Sequence, residues 1–191
     1  MEHLSKRFWQ NRYQKETIGW DLGEVSKPIK VYFDQVQEKN LRILIPGCGN
    51  GHEAEYLSRL GFTNVHVVDF AETALANLRS RIPSFPISHI HLGDFFNHYG
   101  VYDIIVEQTM FCAIDPLLRQ LYADKCHELL VDGGKLIGLM FGVEFDGGPP
   151  YGGNAEEYQN YFRLFSKVSF EECYNSVASR RGSELFIQIQ K

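Results

Sequence analysis

Apolar and polar positions fall into blocks that alternate between two periods. LRILIP (41–46), NVHVVDF (64–70), PISHIHL (86–92), VYDIIVEQ (101–108) and GKLIGLMF (134–141) are short apolar runs that read as buried strands. VSFEECY (168–174) and ELFIQIQ (184–190) alternate apolar with polar, as a hairpin or a sheet-edge pair does. Between the runs the spacing of apolar residues shifts to three and four. HEAEYLSRLG (52–61) predicts a helix stopped by Gly61. AETALANLRSR (71–81) predicts one ending before Pro83, and PLLRQLYADKCHELLVDGG (116–134) one stopped at Gly133-Gly134. Two more helices are expected before the first strand, near 3–15 and 26–38.

Strands alternating with helices imply parallel pairing in a three-layer α/β domain. The last two strands are too close in sequence for a helical crossover, so one strand is expected to run antiparallel to the rest. There is no internal repeat, low-complexity segment or long linker, and the 191 residues fit one domain with a sizeable core.

Composition narrows the class. Hydrophobic residues are 44% and charged residues 23%, which suits an ordinary soluble globular protein. A formal net charge of -5 disfavours a nucleic-acid partner, which rewards basic patches. The basic pairs Lys6-Arg7 and Arg180-Arg181 are read as solvated surface. Cys48, Cys112, Cys126 and Cys173 lack CxxC spacing and suit reduced thiols in a cytoplasmic protein. No signal-peptide h-region opens the chain and no apolar run approaches a membrane span. No exposed heptad stripe demands assembly, so a monomer or weak oligomer is expected. His89 and His91 form HxH on an expected strand and would share one side of it. No third ligand suggests itself, so they are read as structural or surface residues, and no metal is expected.

The densest chemistry lies in RILIPGCGNGHEAEYL (42–57). In an open parallel sheet, ligands sit beyond the carboxyl ends of the strands. Gly47, Gly49 and Gly51 fall there, at the end of the first strand and the start of a helix, where the backbone can turn tightly and offer free N–H groups. A dinucleotide fingerprint needs GxGxxG, and its third glycine would be His52. A phosphate loop needs GKS or GKT, and neither follows. GxGxG after a first strand is typical instead of S-adenosylmethionine (SAM) methyltransferases. Asp69 ends the second strand, where a carboxylate can accept from both ribose hydroxyls. Asp94, in GDFF (93–96), follows the third strand, where it could meet the adenine amino group with Phe95 beside the ring. Each aspartate could alternatively cap the next turn or helix.

FWQNRYQKETIGWDLG (8–23), LIPGCGNG (44–51), EQTMFCAIDPLLR (107–119) and GGPPYGG (147–153) together resemble the thiopurine S-methyltransferase superfamily. They are most similar to its thiol, halide and thiocyanate methyltransferase branch, over nearly the whole chain. The resemblance implies a Rossmann-like class I methyltransferase fold. It would comprise a seven-stranded, mostly parallel sheet with one antiparallel strand and helices on both faces. Residues 1–38 would form an N-terminal helical lid over a 39–191 core. The resemblance further implies SAM as cofactor, S-adenosylhomocysteine as product, and methyl transfer to a small thiol, bisulfide, thiocyanate or iodide. Trp9, Tyr13 and Trp20 match its aromatic lid, and aromatic faces attract a sulfonium cation. As ordinary packing residues, these rings would merely fill core.

By the same resemblance, Glu107 and Gln108 are candidate cofactor ligands and Tyr151 a substrate-side residue. Pro46 departs from the acidic residue of many methyltransferases but is usual in this group. Gln108 stands where a Tyr is common, which implies a more polar pocket. Phe111 and Cys112 are read as pocket wall or core, since direct transfer needs no enzyme thiol. A larger acceptor, such as a thiopurine, another aromatic thiol, a natural-product oxygen or nitrogen, or a metalloid oxyanion, stays open. So does a non-catalytic SAM-binding module.

Overall fold

Strands covered by helices on both sides must be apolar throughout. The first, second and fourth runs meet that demand: β1 (Ile43–Pro46), β2 (Val65–Asp69) and most of β4, which spans Tyr102–Gln108 once the short β3 (Ile90–Leu92) is counted before it, are buried. The computed structural model describes residues 4–191. Its sheet is completed by β5 (Leu130–Phe141), β6 (Lys167–Glu172) and β7 (Glu184–Gln190), in the order β3-β2-β1-β4-β5-β7-β6. The first five strands pair in parallel, and β7 runs antiparallel to both β5 and β6. The order reverses between β1 and β4, which opens a crevice at their carboxyl ends.

Alternation along the strands divides the core. Ile43 and Ile45 of β1 face α2 (Lys27–Asp34), α3 (His52–Arg59) and α4 (Glu72–Arg81), which bury Ile29, Phe33, Leu57, Leu75 and Leu78 against them. Leu44 points the other way and joins Tyr122, Cys126 and Leu129 of α5 (Arg119–Leu129) and Tyr158 of α6 (Ala155–Tyr161). The N-terminal α1 (Lys6–Gln14) begins at Ser5, whose Oγ accepts from the Phe8 N–H at 3.2 Å. Residue 3, where the first expected helix begins, lies outside the described residues. Among the described residues no helix is long and apolar enough to cross a membrane.

Three expectations change. The helix expected over 116–134 begins as a 3-10 turn at Pro116–Leu118 and ends at Leu129. Leu130 pairs with Tyr102, so Gly133 and Gly134 lie inside β5, beside a register shift, rather than stopping a helix. The third strand keeps only Ile90–Leu92, because Ile87–His89 coils into a 3-10 turn after Pro86. Helix α6 was not expected. Its sequence is mostly polar, and it is started by Asn154, whose Oδ1 accepts from the Glu157 N–H at 2.9 Å.

Candidate active site

The glycine loop leaves β1 at Pro46 and turns through left-handed backbone at Gly47, Gly49 and Gly51. Two of these positions have no room for a side chain. A Cβ on Gly49 would stand 2.5 Å from the Tyr13 hydroxyl oxygen, and one on Gly51 would stand 2.9 Å from Leu78. Gly49 thus lets α1 approach the loop, whereas Gly51 lets α3 pack on α4. The loop is fixed from β2, where the Gly49 N–H donates to Asp69 Oδ2 at 2.9 Å. Asp69 Oδ1 accepts from the Ala71 N–H at 2.8 Å, and burial raises its carboxyl above the usual range. A carboxylate has about four lone-pair sites. With the Phe70 N–H also acting on this carboxylate, acceptor capacity is left for a further donor.

Beyond the loop lies a cavity of about 730 Å³. One part is bordered by Gly47, Asp69, Asp94, Phe95 and Phe96, at the carboxyl ends of β1, β2 and β3. The other is bordered by Met110, Cys112, Phe141, Pro149, Pro150 and Arg180, beyond β4, β5 and the start of β7. Trp9, Tyr13 and Trp20 also line it, packed edge-on, with ring centroids 5.4 Å apart for Trp9–Trp20 and 6.0 Å for Tyr13–Trp20. Asp94 does cap a turn, since its Oδ1 accepts from the Phe96 N–H at 3.0 Å, and it lines the cavity as well. Phe95 is 3% exposed and packs on Tyr122, 5.5 Å between centroids.

A smaller recess adjoins the glycine loop, with Asp21, Asn50, His52, Glu53 and Gln108 in its walls. His52 Nε2 pairs with Asp21 Oδ1 at 2.8 Å, and Asn50 Nδ2 donates to Asp21 Oδ2. Gln108 Oε1 accepts from Ser26 Oγ at 3.2 Å, which ties β4 to the start of α2.

Two sequence candidates stand apart from these walls. Glu107 is fully buried and lines neither recess. Its Oε1 accepts from the N–H groups of Met110 and Phe111 at 2.8 and 2.9 Å, and its Oε2 accepts from the Tyr122 hydroxyl. It shapes the turn after β4. Tyr151 also misses the cavity walls, which Pro149 and Pro150 supply; its ring lies over Gly148 and its N–H donates to the Cys112 carbonyl at 2.7 Å. Cys112 does line the cavity, but burial pushes its thiol up to about 12, which keeps it protonated. All four cysteines are free.

Arg180 corrects an expectation. It is 9% exposed rather than solvated surface. The available signal was the hairpin: an antiparallel last strand beside the fifth carries residues just before 184 to the ligand side. Arg119, Asp21 and His52 were also missed, because each finds its charged partner far along the chain. His89 and His91 do share a side, and the third imidazole there is His66, stacked on His89 at 4.1 Å and 3.0 Å from the His91 Nε2 through its Nδ1. His98 joins them and bonds the Tyr102 hydroxyl at 2.7 Å. Burial first, then mutual repulsion with neighbouring cations, lowers His66 to about 3.

A glycine loop at the switch point, an acid ending β2 and a second after β3 define a class I SAM-dependent methyltransferase. The same fold occurs in a Burkholderia thailandensis 1,6-didemethyltoxoflavin-N1-methyltransferase solved with S-adenosylhomocysteine. That structure has a TM-score of 0.74 and 16% identity, over 98% of this chain and 87% of that one. The chain belongs to the thiopurine S-methyltransferase family, whose model matches residues 4–185. It is 30% identical to a probable thiol methyltransferase 2 of Arabidopsis thaliana and 31% identical to a thiocyanate methyltransferase 1 of Brassica oleracea. Each match covers 96% of this chain and 84% of the relative. SAM is therefore the cofactor, and the cradle fits it. The Gly49 turn admits no Cβ, Asp69 keeps acceptor capacity, and the cavity runs from both aspartates to the aromatic cluster.

Proposed function

We propose that this protein methylates small sulfur nucleophiles or halides: a thiol, bisulfide, thiocyanate or iodide. The observation that carries the reading is the division of the cavity. Acids and the glycine loop border one part, and a mostly apolar wall of Met110, Cys112, Phe141, Pro149 and Pro150, with Arg180 beside it, borders the other. The names of the two plant relatives support the thiol and thiocyanate among these acceptors.

Asp69 is assigned to the ribose hydroxyls, Asp94 and Phe95 to the adenine, and Gly47, Gly49 and Gln108 to the amino-acid end. Gly51 serves by setting the start of α3. Bound SAM supplies a methyl carbon activated by its sulfonium, which the acceptor displaces in line as S-adenosylhomocysteine leaves. Trp9, Tyr13 and Trp20 offer aromatic faces to the cationic centre and, as a lid carried by residues 1–38 on the 39–191 core, exclude water. The protein's main contribution is orientation. An anion meeting a cation loses charge in the transition state, so a dry, weakly polar wall favours the reaction. Bisulfide, thiocyanate and iodide need no base. Glu107 would not serve as one, because both its oxygens face the core.

The test is transfer from methyl-labelled SAM to bisulfide, thiocyanate, iodide and an aromatic thiol in parallel, with headspace detection. Turnover of the small anions over the aromatic thiol is expected. Turnover of the aromatic thiol alone would move the acceptor to the thiopurine class. Binding of SAM without any turnover would overturn the reading.

A further inference from the structure

Two arginines border the cavity, Arg12 and Arg180. Arg12 lies on α1, with its guanidinium 5.0 Å from the Trp20 ring centre and its Nε donating to the Thr17 carbonyl at 2.7 Å. Arg180 is placed differently. It precedes β7, whose first residue Glu184 pairs with Phe141 at the end of β5. The sheet order puts β7 next to β5 and far from β2 and β3. Arg180 therefore joins the Phe141 and Pro149–Pro150 wall, and Asp69 and Asp94 lie across the sheet from it.

A buried cation is tolerated only when paired and hydrogen-bonded. Arg180 Nη1 donates to Glu184 Oε1 at 3.3 Å, and Nη2 donates to the Trp20 carbonyl at 2.7 Å. These bonds take two of the five N–H donors of a guanidinium. The group is planar, always charged and weakly hydrated, which suits it to soft anions in a partly dry site. Its bond to Trp20 spans 160 residues and joins the aromatic loop to the acceptor wall.

We propose that Arg180 selects the acceptor by charge: its guanidinium draws an anionic nucleophile to the Phe141–Pro150 wall while holding the Trp20 carbonyl beside it. This rests on the methyl-transfer reading above. In that reaction the acceptor's lone pair forms the new bond to the methyl carbon, the carbon–sulfonium bond breaks, and its electron pair stays on the departing sulfur. Arg180 exchanges no proton. Because the anion is neutralised as it reacts, an attached cation helps gather it and does not speed the step. Arg180 thus lowers KM, and its removal raises KM with kcat unchanged or higher, because the guanidinium holds the anion more tightly than the partly neutralised transition state.

The experiment measures thiocyanate binding to the S-adenosylhomocysteine complex by calorimetry, with neutral methyl thiocyanate as control, alongside KM and kcat for thiocyanate. Arg180→Met is expected to weaken thiocyanate by about 10- to 100-fold, the size of a lost charge-assisted hydrogen bond, and to leave methyl thiocyanate unaffected. Arg180→Lys keeps charge without the fork and falls between. Glu184→Gln removes the offsetting charge and tightens thiocyanate. Equal losses for the charged and neutral ligands, no loss for either, or weakening by Glu184→Gln would each overturn the proposal. Arg180-dependent thiocyanate binding in a wild-type protein that transfers no methyl group would uphold the anion site and overturn the reaction assigned to it.

Discussion

The Arg119 guanidinium donates to the main-chain carbonyl of Tyr151 at 3.1 Å and, from the same nitrogen, to that of Gly152 at 2.8 Å. Its other terminal nitrogen donates to Glu157 Oε1 at 3.0 Å. The buried Nε meets no oxygen, but the rings of Phe111 and Tyr158 flank the guanidinium at 4.9 and 5.3 Å. With the Tyr151 N–H on the Cys112 carbonyl, these bonds stitch the segment after β4 to the Gly-Pro-Pro loop after β5. Arg119→Met removes the partner of two half-buried carbonyls, so a loss of about 1–3 kcal/mol in stability is expected from urea unfolding. KM for thiocyanate should rise while S-adenosylhomocysteine affinity holds. A parallel loss of both would show that the tether serves the whole fold.

The same pair of segments shows how far the chain could be read in advance. FCAIDP and GGPPY stood out as motifs, but nothing in their spacing said that an arginine joins them. Strand positions were legible because each apolar run is short and bounded. Helix α6 was not, because Tyr158 is its only buried residue. Glu107 and Gln108 illustrate the finer limit. Neighbours on a strand point to opposite faces. One residue of parity therefore sends Gln108 to the recess and Glu107 to Tyr122. Sequence places both at the strand end and cannot see which way each turns. The histidine group fails to show for another reason: His66, His89, His91 and His98 come from different elements, and only sheet pairing brings them together.

Gly49 and Gly61 both have left-handed backbone, which separates strain from contact. Gly61→Ala adds a methyl to open space, so a loss of about 1–2 kcal/mol is expected from backbone alone. Gly49→Ala carries that strain and also drives a carbon to 2.5 Å from the Tyr13 hydroxyl oxygen. S-adenosylhomocysteine binding by calorimetry should fall more than about tenfold, or 1.4 kcal/mol, for Gly49→Ala alone. Equal affinities in the two variants would mean that the Tyr13 contact does not shape the cofactor site.

Burial raises the Glu107 carboxyl from 4.5 to about 7, against the hydrogen bonds from Tyr122, Phe111 and Met110 that favour the charged form. The folded protein then binds more protons than the unfolded chain between those values, so this residue makes stability fall as pH rises through the window. The full difference is about 3 kcal/mol, since one unit is about 1.4 kcal/mol. Glu107→Gln keeps an oxygen for the two N–H groups and cannot ionise. The variant should be less stable than wild type at pH 5 and recover relative to it at pH 8, read from denaturant midpoints at both. A constant difference across pH would mean that Glu107 ionises as readily folded as unfolded.

The Asp21–His52 pair joins the Trp20 loop to the first turn of α3, so it ties the aromatic cluster to the glycine loop. The Asp21 hydrogen bond raises His52 above 6.5; burial and Arg81 oppose it, and Glu53 adds to it. Burial alone would raise Asp21, but bonds from His52, Gly23 and Asn50 outweigh it and hold the carboxyl at about 2. The pair is complete between the unfolded values of 3.8 and 6.5, fades as pH falls toward 2, and fades as pH rises through the raised His52 value. S-adenosylhomocysteine should therefore bind more weakly at pH 9 than at pH 6, because the loop loses its charged anchor; the ligand's own amino group also begins to deprotonate near pH 9, and His52→Asn measures that part alone. His52→Asn should bind more weakly than wild type at pH 6, with a much flatter profile. Asp21→Asn should match it, and the double variant should add little, as expected of two partners in one interaction. Additive losses would mean that each residue meets the cofactor site separately, and that the loop is held by the Arg180–Trp20 bond instead.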